Sequence, residues 1–337
     1  MEQKIYDEYV EILKEELLPA MGCTEPIAVA YAAAVAVQAL GEKPESVEVN
    51  VSANIIKNVK SVVVPCTGGL RGIGAAVCAG IVAGCPEKEL EILEEITGEQ
   101  KVEMKKMLDT MPMTIRESDK EYIFDIQIKA CAGGHSGYVE IAGFHTNVIC
   151  VKKDDEIIRE KAYEEQGSSC ATDRSLLTVE KIIEFADCVD VADVEEVLQR
   201  QIDYNWAIAE EGMTGNWGAA IGKTLMEAYG NSVHNRAKAM AAAGSDARMN
   251  GCELPVVINS GSGNQGMTTS LPVIVYAKEL NVSKEMMLRA LVVSNLITIH
   301  MKTGIGRLSA YCGAISAGCG AGAGICYLYG GRAYEIS

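Results

Sequence analysis

The chain has 337 residues, with 30 lysines and arginines against 46 aspartates and glutamates, so its net charge at pH 7 is −16. Such an acidic balance argues against a protein that binds nucleic acid or an anionic membrane surface, because both need clustered basic side chains. Hydrophobic residues make up 48% of the chain and charged residues 23%, which indicates a globular protein with a substantial core.

The 12 cysteines favour a reducing compartment. A chain of this length builds a core without disulfides, and residues 1–20 show an acidic amphipathic pattern rather than a secretory leader. We therefore expect a cytoplasmic protein whose thiols are buried, catalytic or metal-ligating. The 24 residues from 308 to 331 carry no charge, but seven of them are glycine, so we predict close packing there rather than a membrane span.

The N-terminal part of the chain predicts two helices and then strands. Apolar residues recur at helical spacing over 3–18, and residues 27–40 form an Ala/Val-rich run that is too short to span a bilayer and is typical of a buried helix. Residues 46–65 are rich in β-branched residues and predict a strand, a turn and a second strand. A glycine-rich helix is expected over 68–84.

Farther along, residues 87–110 predict acidic helices, and residues 112–160 alternate between apolar and polar residues. That alternation predicts an antiparallel sheet of at least three strands. From about residue 173 onward the patterns are helical.

Together these elements predict an α+β protein: a mostly helical catalytic domain with an inserted small α/β domain that contains an antiparallel sheet. Residues 1–44 are expected to be N-terminal helices that pack on the catalytic domain. Residues 45–168 are expected to form the α/β domain. Residues 169–337 are expected to form the helical catalytic domain, with a C-terminus that is incomplete.

A glycine-rich motif, Gly261-x-Gly263-x-x-Gly266, follows a short apolar run and precedes a helical pattern. It resembles the dinucleotide-binding fingerprint only superficially, because no βαβ unit and no acidic residue at the expected distance follow it. Backbone amides at a helix N-terminus also hold a carboxylate. We therefore expect an amino-acid headgroup to bind at its polar and glycine residues, which are Asn259, Ser260, Gly261, Ser262, Gly263, Asn264 and Gln265.

Cysteines at two places are candidates for chemistry. Cys23 lies between two predicted helices, where the N-terminus of the second would favour a thiolate that acts as a base or as a metal ligand. Cys312, Cys319 and Cys326 are spaced by seven residues. On an unbroken helix each such step rises by about 10.5 Å, so we expect at most one or two of the three to be ligands.

Lysine, arginine and histidine residues occur in two further groups of candidates. His300, Lys302 and Arg307 precede Cys312, and Lys57 and Asn58 are followed by a glycine-rich stretch. These residues are candidates for proton transfer and for holding a substrate carboxylate.

Six segments, taken together, resemble one family: residues 21–26 (MGCTEP), 54–58 (NIIKN), 131–138 (CAGGHSGY), 245–249 (SDARM), 259–266 (NSGSGNQG) and 305–313 (IGRLSAYCG). They are similar to the L-cysteine desulfidase family, which is related to the α chain of iron–sulfur L-serine dehydratase. The resemblance implies a [4Fe–4S] lyase that converts L-cysteine to pyruvate, ammonia and hydrogen sulfide by α,β-elimination.

The same resemblance assigns roles to residues. It implies that Cys312 is a cluster ligand and Cys23 the proton acceptor, with His300 and Lys57 as further candidates for the base. Asn58 is expected to bind substrate, and Arg307 or Lys57 would hold its carboxylate together with the 261–266 motif. The family also carries a later Cys-Asp-Gly-Ala-Lys motif, which is expected beyond Ser337 and which this sequence does not contain.

Three other functions remain open on the sequence. An L-serine dehydratase differs only in its leaving group. A non-catalytic amino-acid-binding or regulatory homologue needs no cluster. Pyridoxal-phosphate catalysis through Lys57 or Lys302 would give the same products. For all of them we expect a small amino acid as ligand, no nucleic acid, no membrane, and a homodimer.

Overall fold

The computed structural model describes residues 1–163, 172–305 and 313–337. The helices are α1 (Gln3–Glu16), α2 (Thr24–Leu40), α3 (Ala53–Val59), α4 (Gly72–Ala83), α5 (Gly98–Thr110), α6 (Val179–Cys188), α7 (Ala192–Thr214), α8 (Ile221–Tyr229), α9 (Val233–Met249), α10 (Gly263–Glu279), α11 (Lys284–Thr303), α12 (Gly313–Leu328) and α13 (Ala333–Ile336). The strands are β1 (Pro19–Met21), β2 (Ser46–Val51), β3 (Met113–Glu117), β4 (Asp125–Ala132), β5 (His135–Ala142), β6 (Val148–Lys153), β7 (Glu156–Glu160) and β8 (Pro255–Val257). The predicted α+β class, mostly helical with a sheet in one part, is confirmed.

Residue contacts divide the chain into two units. The first takes Met1–Ala20, Cys170–Arg248 and Leu254–Ser337, and the second takes Met21–Ser169 and Met249–Glu253. In the part of the chain that the structure describes, no helix is long and apolar enough to cross a membrane.

The first unit is built from helices around a core to which α1, α6, α7, α10, α11 and α12 contribute. Helix α11 is buried along most of its length, and small residues let α12 approach it closely. A Cβ added to Gly320 would lie 2.1 Å from the Thr298 hydroxyl. Strand β1 pairs with β8, and this short pairing fixes the backbone that leads into the 261–266 motif.

The second unit contains a six-stranded sheet in the order β3-β2-β4-β5-β6-β7. Strands β2 and β3 are parallel, and the other pairs are antiparallel. Helix α2 packs on the sheet and on α4 with almost no space between backbones. A Cβ at Gly137 of β5 would lie 2.1 Å from the carbonyl oxygen of Ala36, and one at Gly80 of α4 would lie 1.9 Å from that of Ala30. The helix therefore belongs with the sheet, although its sequence stands beside α1.

One predicted element is wrong. Residues 46–65 were expected to form two strands, but only Ser46–Val51 is a strand, and Ala53–Val59 is helix α3. Ile55 and Val59 are both fully buried and are four residues apart, which is the spacing of one helix face. The tertiary burial of that face outweighs the β-propensity of isoleucine and valine. The expected acidic helices over 87–110 are a 3₁₀ turn at Pro86–Glu91 and helix α5.

Candidate active site

Each unit contains its own, separate group of candidate residues. In the second unit the group centres on Cys23, which immediately precedes α2 and is 4% exposed. The chain turns into this position at Gly22, whose φ is +55° and whose missing side chain leaves room for Pro65. A side chain at residue 22 would lie 2.0 Å from the Pro65 ring, so glycine is required for Cys23 to reach its place.

The thiol of Cys23 lies against a carboxylate. Its Sγ donates a hydrogen bond to Oε2 of Glu25 at 3.1 Å, and the hydroxyl of Thr24 donates to the same oxygen at 3.2 Å. The amide of Asn58, on α3, donates to Oε1 of Glu25 at 3.3 Å. The structure thus brings Cys23 and Asn58 together, and it does so through Glu25.

This arrangement, which we call the thiol–carboxylate group (Cys23, Thr24, Glu25, Asn58), can handle a proton. The N-terminus of a helix stabilises negative charge, and Glu25 is the only acidic residue in the first turn of α2. A proton can pass from the sulfur to the carboxylate over one hydrogen bond. Glu25 was not among the predicted site residues, although acidic residues are enriched in the first turn of helices.

Lys57 is placed differently from its neighbour Asn58. It is exposed on α3, and it makes no hydrogen bond or ion pair with any residue that the structure describes. The structure therefore does not join Lys57 to the thiol–carboxylate group. Its predicted roles as base or carboxylate holder remain predictions.

In the first unit, the glycine-rich motif begins with a tight turn. The backbone amides and carbonyls of Asn259 and Ser262 bond to each other, each at 3.1 Å. The two residues between them, Ser260 and Gly261, have φ values of +50° and +79°. Positive φ at both central positions defines a type I′ turn, which reverses the chain from β8 into α10.

A network of buried side-chain amides stabilises this turn on its interior side. The side chain of Asn259, which is fully buried, donates to Oδ1 of Asn295 at 2.9 Å. Asn295 and Gln201 exchange two hydrogen bonds, at 2.8 and 3.0 Å. The hydroxyl of Ser260 donates to Oδ1 of Asn259 at 2.9 Å. Asn259 and Ser260 therefore fix the shape of the turn through side chains that point into the protein.

Helix α10 starts directly after the turn with its first amides unused by a side-chain cap. Arg248 is 2% exposed, lies against this first helical turn and donates to Oδ1 of Asn264 at 3.0 Å. A Cβ at Gly263 would lie 2.4 Å from Nε of Arg248, so the glycine makes room for the guanidinium. Helix amides and a guanidinium together favour an anion such as a carboxylate.

Gln265 completes this first turn of α10. It is 6% exposed, and its Oε1 has no hydrogen-bond partner among the described residues. An amide oxygen accepts hydrogen bonds from an ammonium group. Its side chain also touches the start of α12, since a Cβ at Gly313 would lie 2.3 Å from Cδ of Gln265.

Two predicted site residues, Arg307 and Cys312, lie outside the described residues. The structure places His300 in the last turn of α11, partly buried, and buries Lys302 two residues later. Arg248, in the first unit, was not predicted as a site residue. In the sequence it stood out only as part of the segment 245–249.

The cysteines of α12 are the described candidates for cluster ligands near Cys312. Cys319 and Cys326 lie on one unbroken helix, α12, and seven residues along a helix rise about 10.5 Å, so the two thiols cannot bind one small cluster together. Over 1–163, 172–305 and 313–337, no group of three His, Cys, Asp or Glu side chains could hold a metal ion. These residues alone do not fit an iron–sulfur cluster.

Comparison with known proteins identifies the relatives of the chain. Residues 87–337 match the family model described as serine dehydratase alpha chain. A UPF0597 protein of Desulfitobacterium hafniense is 56% identical over 336 residues, which is 100% of this chain and 78% of the relative. UPF0597 proteins of Lachnoclostridium phytofermentans (50% identical, 99% of this chain and 80% of the relative) and Treponema denticola (43%, 100% and 79%) are also similar.

Proposed function

Because the chain belongs to the serine dehydratase alpha-chain family, we propose that it is an iron–sulfur-dependent lyase that acts on a small β-substituted amino acid. We propose L-cysteine as the substrate and α,β-elimination to hydrogen sulfide and aminoacrylate as the reaction. The aminoacrylate then hydrolyses to pyruvate and ammonia. Family membership supports the lyase class, and the choice of cysteine rests on the resemblance of the sequence motifs.

The observation that carries the proposal is the hydrogen bond from the Cys23 thiol to Glu25. Elimination begins with removal of the α-proton, and this step needs a group that can accept a proton and is held in place. Cys23 is buried, fixed at the start of α2 and connected to a carboxylate that can take its proton. It is therefore our proposed proton acceptor.

In the first unit, the proposed role of the α10 N-terminus is to bind the amino acid itself. The amides of the first turn and Arg248 suit the carboxylate, and Oε1 of Gln265 suits the ammonium group. Both groups are common to all amino acids. Binding at this place therefore does not discriminate between thiol and hydroxyl substrates.

The cofactor remains part of the proposal. An iron–sulfur cluster is the expected cofactor of the family, and Cys312 is its proposed ligand in this chain. The described residues do not form a cluster site on their own, so each step proposed above is assigned to side chains and backbone of the chain alone.

The test is a comparison of two substrates with protein purified without oxygen. We expect pyruvate and sulfide from L-cysteine, and slower pyruvate release from L-serine. Faster turnover of L-serine would assign the serine dehydratase activity instead. Protein that binds either amino acid without releasing pyruvate would be a binding homologue.

The cluster is tested separately by iron content. We expect iron and sulfide in the purified protein and their loss in Cys312→Ala. Cys319→Ala, on the exposed side of α12, is the matched control and should keep its iron. Full iron content in Cys312→Ala would overturn the ligand assignment.

A further inference from the structure

The thiol–carboxylate group gives Glu25 a role that none of the motifs assigns. We infer that Glu25 is the positioning residue for the proton acceptor: it orients the Cys23 thiol and takes the thiol proton as the sulfur takes the α-proton of the substrate. This inference rests on the proposed function, and it goes further by naming where the proton goes.

Hydrogen bonds hold the Glu25 carboxylate at both of its oxygens. Both oxygens of the Glu25 carboxylate accept hydrogen bonds, Oε2 from Cys23 and Thr24 and Oε1 from Asn58. Thr24 is 1% exposed, so its hydroxyl is a fixed donor. A carboxylate held by three donors at a helix N-terminus stays in one orientation and keeps the thiol in one orientation too.

The proton balance closes without any other reagent. The S–H bond of Cys23 breaks and its proton moves to the Glu25 carboxylate, which becomes a carboxylic acid. The sulfur then forms a new S–H bond with the α-proton, and the electron pair of the broken Cα–H bond becomes the new double bond as the β-substituent leaves. The proton on Glu25 returns to solvent, and the group is restored.

Two other buried thiols in the same unit differ from Cys23 because no described carboxylate accepts a hydrogen bond from them. Cys78 on α4 is fully buried, and burial raises the pKa of its thiol to about 12. Burial likewise raises the pKa of Cys66 to about 11. Both are thiols without a carboxylate in hydrogen-bond contact among the described residues, which makes Cys78 a reference for an S–H group that has no charged acceptor.

The first experiment measures the hydrogen bond directly, without substrate. Infrared difference spectra of the full protein against Cys23→Ser and against Cys78→Ala give the S–H stretch of each thiol. We expect the Cys23 band at lower frequency than the Cys78 band, and we expect it to shift upward in Glu25→Gln, because a neutral amide is the weaker acceptor. An unchanged Cys23 band in Glu25→Gln would overturn the inference.

The second experiment measures catalysis. Glu25→Gln is expected to lower kcat about 100-fold with KM within threefold of the unmodified protein, and to increase the kinetic isotope effect on α-deuterated L-cysteine. Glu25→Asp should restore part of kcat. Glu45→Gln, an exposed residue of the same unit, is the control and should leave both parameters unchanged. A raised KM at normal kcat would instead make Glu25 a substrate-binding residue and overturn its role.

These outcomes separate the two levels of the proposal. If the unmodified protein does not release pyruvate from cysteine or serine, the proposed function fails, and the role of Glu25 fails with it. If the unmodified protein is active and Glu25→Gln is equally active, only the role of Glu25 fails.

Discussion

The two groups of candidate residues, one in each unit, differ in their chemical composition. The thiol–carboxylate group consists of an ionisable pair held by two neutral donors at the start of a helix. The turn at 259–262 rests on neutral amides that are fully buried and bonded to one another. The thiol–carboxylate group can transfer a proton with little structural change, whereas the amide network has no ionisable group and only stabilises the conformation of the turn. Changes in the first should therefore alter rates, and changes in the second should alter stability.

The sharpest test of this difference is Cys23→Ser. We expect lyase activity to fall by about 10²- to 10⁴-fold, the range for loss of a general base, because a hydroxyl gives up its proton far less readily than a thiol. The unfolding midpoint should stay nearly constant, since serine is similar in size. Pyruvate release and thermal unfolding check the two halves of the prediction, with the exposed Cys85→Ser as control. A large loss of stability would mean that Cys23 is mainly a packing residue.

The converse test is Asn295→Leu in the amide network. Leucine is similar in size but removes both hydrogen-bond partners of the Gln201 amide and the side-chain acceptor of Asn259, and each buried unsatisfied group costs about 1–3 kcal/mol. We expect the free energy of unfolding to fall by about 2–4 kcal/mol in denaturant titrations. Gln199→Leu on α7, which loses only an exposed hydrogen bond to Asp203, should change it by less than about 0.5 kcal/mol. Unchanged stability in Asn295→Leu would show that the network is not what holds the turn.

Arg248→Lys tests whether a charged residue beside the turn at 259–262 binds substrate or only supports the structure. Lysine keeps the charge but loses the planar set of donors that contacts Asn264. We expect KM for the amino acid to rise about tenfold, roughly 1.4 kcal/mol of binding, with a much smaller change in kcat. Arg236→Lys, which alters an ion pair with Glu279 away from the turn, should leave KM unchanged. A fall in kcat alone would place Arg248 outside substrate binding.

The sequence predicted the main helices and strands around both groups, but not the contacts between residues that are distant in the chain. The buried run at 27–40 and the alternation over 112–160 gave α2 and the sheet because their periodicity is local. Helix α3 was missed because β-branched residues have ambiguous local preferences that only burial resolves. The turn at 259–262 could be found from its glycines, but Asn295 and Gln201 are far away in the sequence, and nothing local marks them. Glu25 belongs to the segment 21–26, but its contact with Cys23 depends on the bend at Gly22, which the sequence did not predict.

The smallest predicted effects concern α12, whose glycines at 320 and 322 are two residues apart but face different surroundings. A Cβ at Gly320 would lie 2.1 Å from the Thr298 hydroxyl and 2.5 Å from the Ser294 carbonyl oxygen, next to Asn295 on α11, whereas one at Gly322 would meet nothing within 4 Å. Gly320→Ala should therefore push α12 away from α11 and destabilise the protein by about 1–3 kcal/mol. Gly322→Ala should stabilise it by about 0.5–1 kcal/mol, because alanine loses less conformational entropy in a helix. Denaturant unfolding of the pair measures both, and equal effects would mean that α12 is not held against α11 closely enough to support the amide network.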